Sequence, residues 1–350
     1  MNLRLDFAFP GDLRLPTGGY GYDRRVIAEL RTLGAQVREI SLPASFPFPS
    51  PDDLETSRRL LTNDQRDALI IDGLAFGALP EETIYALAPK PVALVHHPLC
   101  LETGLEPLRA DALRASETRA LAHAGAVLVT SRMTADIVAR DFGVHASKLF
   151  AAEPGIDRAP RATGSSDGIV RLLSVGSLLP RKGYGDLLHA LSGVTGEWSL
   201  TIVGSDELDP DCARSVKGLR AVLGLPARVA LTGALPAEAV ATHYLDADVF
   251  VTASHFEGYG MAIAEAIARG LPVVTTREVA VAGAAPTDAA LVYPAGDVGA
   301  LRERLSGIVG DAALRARLSD RAWAAAQAQP RWSDAAQTML RAIEAARRAS

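Results

Sequence analysis

Short, unbroken apolar runs recur along the chain, each followed by a longer stretch with one apolar face. Residues 3–9, 37–42, 67–71, 91–95, 126–130 and 148–152 form a first series of runs, and 169–175, 199–203, 229–232, 248–252, 271–275 and 291–293 form a second. Runs of this length without alternation read as strands buried on both faces, the signature of a parallel sheet covered by helices. The intervening stretches have helical spacing. Between the first two runs, residues 22–33 place Val26, Ile27, Leu30 and Leu33 on one face, and Gly34 ends the pattern. The resulting expectation is an α/β chain of alternating strands and helices.

The most informative stretch is 249–276. An apolar strand, Val249-Phe250-Val251, runs into the turn-prone Ser254-His255-Phe256-Glu257-Gly258-Tyr259-Gly260. A helix rich in alanine and isoleucine follows from Met261, stopped by Gly270 with Pro272 beyond it, and a second buried strand comes after. A helix opening directly after a glycine loop points unpaired N–H groups at whatever occupies that loop. Two carboxylates interrupt the apolar pattern, Glu257 and Glu265, and neither has a basic neighbour in sequence apart from Arg269, four residues after Glu265. Glu265 is thus read either as a surface ion pair or as a carboxylate facing a polar cleft.

Three other places carry candidate chemistry. Thr17-Gly18-Gly19-Tyr20-Gly21 lies between the first strand and the first helix, where a tight turn and a phosphate loop look alike. His96 and His97, with Glu102 nearby, sit at the C-terminal end of a strand, the edge at which open α/β sheets hold ligands. Arg181 and Lys182 follow a strand and a glycine turn, a natural anion site because arginine forks onto two oxygens and lysine adds a point charge. The loop 43–51 carries Phe46 and Phe48, read either as a packed surface loop or as an apolar tip for a lipid or a hydrophobic acceptor. The helix over 105–123, with Arg109, Arg114 and Arg119, is read as a solvated face that could also meet anionic headgroups. Asp246-Ala247-Asp248 spells a D-x-D, but its setting at a strand entry suits capping rather than a metal.

Length, charge and cysteines narrow the class. A chain of 350 residues exceeds a single core. Its net charge of −5 argues against nucleic acid as the partner. The two cysteines, Cys100 and Cys212, are far apart and fit a reducing compartment. Met1 to Asp6 has no secretion-signal character and no apolar run reaches membrane-spanning length, so the expectation is a cytoplasmic protein, with peripheral contact at the inner face of the membrane left open.

The run Glu257-Gly258-Tyr259-Gly260, with Glu265-Ala266 and then Gly270-Leu271-Pro272-Val273-Val274, resembles the E-x7-E signature of retaining glycosyltransferases of family 4. The resemblance implies the GT-B fold: two Rossmann-like α/β/α lobes facing a central cleft, with a C-terminal helix crossing back to the first lobe. It implies lobes at 1–160 (acceptor) and 169–332 (donor), a linker at 161–168 and a returning helix at 333–350.

It also implies roles. The donor would be a nucleotide-diphosphate sugar, its ribose held by Glu265 and its sugar and phosphates by Glu257 and the loop Gly258, Tyr259, Gly260 and Met261. Gly18, Gly19, Arg181 and Lys182 would meet the diphosphate, and the turn at Gly233 the base. His96, or His97 one residue on, would lie beside the anomeric carbon. Phe46, Phe48 and Glu102 are the acceptor candidates, and the opening PTGGYGYDRR is similar to transferases that decorate diacylglycerol. No metal or other cofactor is expected. A sugar-nucleotide epimerase, a phosphorylase and a non-catalytic sugar-nucleotide sensor stay open as alternatives. After Thr276 the chain departs from the family, with 277–283 replacing a glycine-rich turn.

Overall fold

In a computed structural model, residues 3–15, 17–62, 65–102, 104–280 and 288–349 are described. The chain divides into two compact units, Met1–Gly155 with Pro330–Ser350, and Ile156–Gln329.

The first unit is built on a six-stranded parallel sheet: β1 (Leu3–Pro10), β2 (Ala35–Leu42), β3 (Ala68–Asp72), β4 (Val92–Val95), β5 (Ala126–Val129) and β6 (Leu149–Ala151), in the order β2-β1-β3-β4-β5-β6. Every residue of β3, β4 and β5 is buried, which is why these strands are apolar without alternation up to Asp72 at the end of β3. The last helix, Trp332–Arg348, belongs to this unit. It turns Met339, Ala342, Ile343 and Ala346 inward and packs on the helix Gly18–Thr32 and on β5 and β6.

The second unit repeats the plan with β7 (Val170–Val175), β8 (Trp198–Val203), β9 (Val229–Leu231), β10 (Val249–Val251), β11 (Val273–Thr276) and β12 (Ala290–Tyr293), in the order β12-β11-β10-β7-β8-β9. The chain starts in the middle of this sheet, fills one side and then returns to fill the other. The loops after β7 and β10 therefore flank the point where the direction of travel reverses, and such sheets hold ligands there. In the first unit the corresponding point lies between β1 and β3.

The segment expected as a linker is bonded to the second unit along its length. Ala162 and Thr163 donate backbone N–H groups to Arg269 and Leu245, and Ser165 donates to the Asp248 carboxylate. Asp248 also accepts from the Arg171 N–H at 2.7 Å, so the second aspartate of the D-x-D caps a strand entry. Among the described residues, no helix is long and apolar enough to cross a membrane.

Candidate functional site

In the second unit, β7 leads through Gly176 into a single helical turn, Pro180–Lys182, closed by Gly183 in the left-handed region at φ 62°. A Cβ on Gly183 would lie 2.2 Å from the carbonyl oxygen of Ala253, a backbone atom that cannot swing away. Glycine is thus required twice over, by conformation and by space. The His255 N–H donates to the Arg181 carbonyl at 2.8 Å and ties the loop after β10 to this turn. Gly183→Ala is expected to cost about 2–4 kcal/mol, read as a lowered urea midpoint with an unchanged slope.

The two loops meet at Glu257. Its carboxylate accepts from Arg181 Nη1 at 3.0 Å, from Lys182 Nζ at 2.5 Å and from Ser254 Oγ at 2.8 Å. Ser254 is held in turn by the Thr252 hydroxyl and by Thr276, whose hydroxyl donates to the Ser254 carbonyl. The basic partners that Glu257 lacks in its own neighbourhood are thus supplied from 75 and 76 residues away. Burial alone would raise the Glu257 pKa, but Lys182 and Arg181 outweigh it and bring the carboxyl down to about 2. A carboxyl shifted this way stabilises the fold above its ordinary value of 4.5 and loses that contribution as pH falls through about 2. Glu257→Gln is therefore expected to lower stability at neutral pH by about 2–4 kcal/mol. Between pH 4.5 and 2 the variant should lose less stability than the wild type, followed by thermal melts across that range.

The same loop ends at Gly260, which starts the helix Met261–Ala268 with no side chain capping it. Its first-turn amides lie at the positive end of the helix dipole, a setting that suits an anion. Tyr259 is buried, while Gly258 and Met261 are half-buried. One turn on, Glu265 is half-buried as well. Burial pushes its carboxyl up, against the Tyr244 hydroxyl and Arg269, which lower it. The Arg269 guanidinium bonds the backbone carbonyl of Glu265 at 2.9 Å and lies 4.8 Å from the centre of the Tyr244 ring. The simple surface-pair reading of Glu265 is replaced by this packed arrangement. Gly233 follows β9 at the same edge of the sheet, where its carbonyl accepts from the Gly204 N–H at 3.1 Å.

In the first unit the helix starts at Gly18 rather than at residue 22, because Thr17 caps it by accepting from the Tyr20 N–H. Gly18 faces open space, and a Cβ on Gly19 would touch the His96 ring at 3.4 Å. His96 Nε2 lies 3.1 Å from Asp23 Oδ1 and 3.3 Å from Asp72 Oδ2. Burial would lower the imidazole pKa, but Asp23 and Asp72 outweigh it and raise it to about 10. Asp23 is itself raised to about 6, by burial first and by Asp72, with His96 opposing. His97 takes a different course and pairs with the partly exposed Glu102 at 3.1 Å.

Asp23 and Asp72 were invisible to the motif reading. The signal for Asp23 is an acidic residue on the stripe otherwise made by Tyr22, Val26, Ile27 and Leu30, and that for Asp72 is a carboxylate ending an apolar run before Gly73. Among the described residues, Asp23, Asp72 and His96 are the group of three whose ligand-type atoms lie within 4.8 Å of one another. His96 Nε2 lies between the two carboxylates there.

Two expectations about the acceptor side change. Phe46 is 5% exposed and joins the core cluster with Leu42 and Leu61, so it is not an apolar tip. Phe48 is 51% exposed, with the Arg109 guanidinium 5.5 Å from its ring centre. The helix Pro107–His123 buries Glu117 beside Leu113, Ala120 and Leu121, so its inner face is not purely apolar. Of the departure at 277–283, Arg277–Ala280 is helical and 281–283 lie outside the described residues.

Residues 156–324 match the family described as "Glycosyl transferases group 1". An MMP alpha-(1->4)-mannosyltransferase of Mycolicibacterium hassiacum is 28% identical over 257 residues, 69% of this chain and 60% of that one. The chain spans less than two thirds of the length of the curated relatives it matches, 37% to 60% for three of them. Sucrose-phosphate synthase from Thermosynechococcus elongatus superposes with a TM-score of 0.80 at 20% identity, over 96% of this chain and 98% of that one. Anabaena Alr3699/HepE, solved in complex with UDP and glucose, gives 0.73 at 16% identity, over 97% and 99%. Both likenesses show the fold, two lobes each built on a parallel six-stranded sheet.

Proposed function

We propose, from the premise that the second unit belongs to the glycosyl transferases group 1 family and the chain has the GT-B fold, that this protein moves a hexose from a nucleotide-diphosphate sugar to an acceptor hydroxyl with retention of configuration. The observation that carries the reading is the pair Arg181 and Lys182, tied through Glu257 to a loop that opens into the uncapped helix Met261–Ala268. Fixed cations and aligned amides favour a diphosphate most as it departs with its full charge, which is where stabilisation accelerates the reaction. This charge balance needs no metal ion. Glu265, whose carboxyl burial pushes up against the Tyr244 hydroxyl and Arg269, accepts ribose hydroxyls. Glu257 is locked as an anion by three donors and orients the sugar instead of attacking it. In the first unit, the His96 cluster supports the charge that develops on the sugar, and Gly18 and Gly19 add backbone amides.

The test is incubation with UDP-, GDP- and ADP-sugars, following nucleotide release with and without sugar, sugar-phosphate or diacylglycerol-vesicle acceptors. Release that depends on an acceptor is expected. Consumption of donor without acceptor would favour an epimerase, and binding without turnover a sensor. UDP-glucose is the first donor to try, given the UDP and glucose in the Anabaena structure. With Phe46 in the core, the apolar tip offered to a lipid is Phe48, so co-sedimentation with liposomes, lost in Phe48→Ala, is the result that would keep the lipid acceptor.

A further inference from the structure

The Asp23 side chain is fully enclosed, 0% exposed, on a helix face that is otherwise apolar. One of its oxygens meets His96 Nε2, and the other, Oδ2, is buried with no hydrogen-bond partner. A carboxylate in that position is costly unless it holds something. Asp72 has a structural role of its own, since its Oδ1 accepts the Leu74 N–H at 2.8 Å and caps the turn after β3. Asp23 caps nothing. Its helix is already capped by Thr17, and its contacts are the His96 ring, which lies against Gly19, and the Asp72 carboxyl.

We propose that Asp23 is a positioning residue for the transfer reaction, acting through His96: its carboxylate fixes the ring by the Nε2 hydrogen and gives the cluster one net negative charge. The inference rests on the proposed transferase reading for its purpose, because a sugar losing a diphosphate becomes positive at the reacting carbon. With the ring protonated and both carboxylates ionised, the charges sum to −1. A protonated ring with one carboxylate would sum to zero and offer no attraction. The groups facing His96 are Asp23 and the Tyr22 ring from the first helix, at 5.4 Å for the ring, Asp72 from β3, and Tyr20, which is influenced by both carboxylates while its hydroxyl donates to the Pro10 carbonyl. Because burial holds Asp23 up to about 6, its carboxylate carries its charge above that pH and is protonated below it. The rate is thus expected to fall as pH drops through about 6.

The experiment is Asp23→Asn, read in two ways. In substrate-free protein with nitrogen-15-labelled histidine, the wild-type His96 ring should be doubly protonated at pH 8, and in the variant it should titrate at least 1 pH unit lower. With UDP-glucose, or the sugar nucleotide selected above, kcat should fall about 10–100-fold with the donor KM within about 3-fold of wild type, and the limb near pH 6 should vanish. A wild-type ring that is neutral at pH 8, a ring unchanged by the substitution, or an unchanged kcat would overturn the proposal. Should Asp23→Asn not fold, the wild-type ring titration decides together with Asp23→Glu, which should restore the cation. The ring is read without donor, so a failure to find any transferred sugar would count against the transferase reading and leave the clamp standing.

Discussion

Lys182→Ala is expected to slow nucleotide release by about 10²–10³-fold while the protein stays folded, the loss typical of removing one donor from a developing anion. The fold should survive because Glu257 keeps Arg181 and Ser254 as partners, so no carboxylate is stranded. The effect should appear in kcat more than in donor KM, because the diphosphate gains charge only as its bond to the sugar breaks. Lys182→Arg should recover part of the rate, since the charge returns on a bulkier, planar group. Steady-state kinetics on the three proteins, with circular dichroism to confirm folding, checks the prediction. A variant with full turnover would remove Lys182 from the reaction.

Glu265→Ala has the opposite signature. The expected loss is in donor affinity, about 10–100-fold in Kd by calorimetry with UDP, equivalent to one lost charge-assisted contact. If the carboxylate serves the ribose, a 2′-deoxy nucleotide should bind the wild type about as weakly as the ordinary nucleotide binds the variant. The two losses should then fail to add when combined. Equal affinities in variant and wild type would place the ribose elsewhere.

The fold was legible because its strands are buried on both faces. A parallel sheet wrapped by helices leaves apolar runs such as 68–71 and Val92–Val95 that scarcely alternate, and the eye finds them without help. The candidate residues of the second unit were legible for a different reason. Glu257, Gly260 and Glu265 lie in one short segment, so local spacing and the resemblance name them together.

What stayed hidden depends on tertiary approach. The partners of Glu257 come from another loop, and nothing local to Glu257 announces Arg181 or Lys182. Asp23 was masked by the habit of reading only the apolar members of a helical face. Phe46 misled because a proline-rich loop suggests exposure, whereas the chain there folds back and buries that ring in the core. His96 and His97 could not be separated in sequence, because neighbouring positions at a strand end differ only in which way they point. The structure sets them apart by giving one two buried carboxylates and the other an exposed glutamate.

The most direct test is a crystal structure of the chain with a non-hydrolysable UDP-sugar bound. The account predicts diphosphate oxygens within hydrogen-bond distance of Arg181, Lys182 and the first amides of the helix Met261–Ala268, with the ribose on Glu265. A nucleotide that sits away from that loop, or that leaves Arg181 and Lys182 engaged only with Glu257, would contradict it.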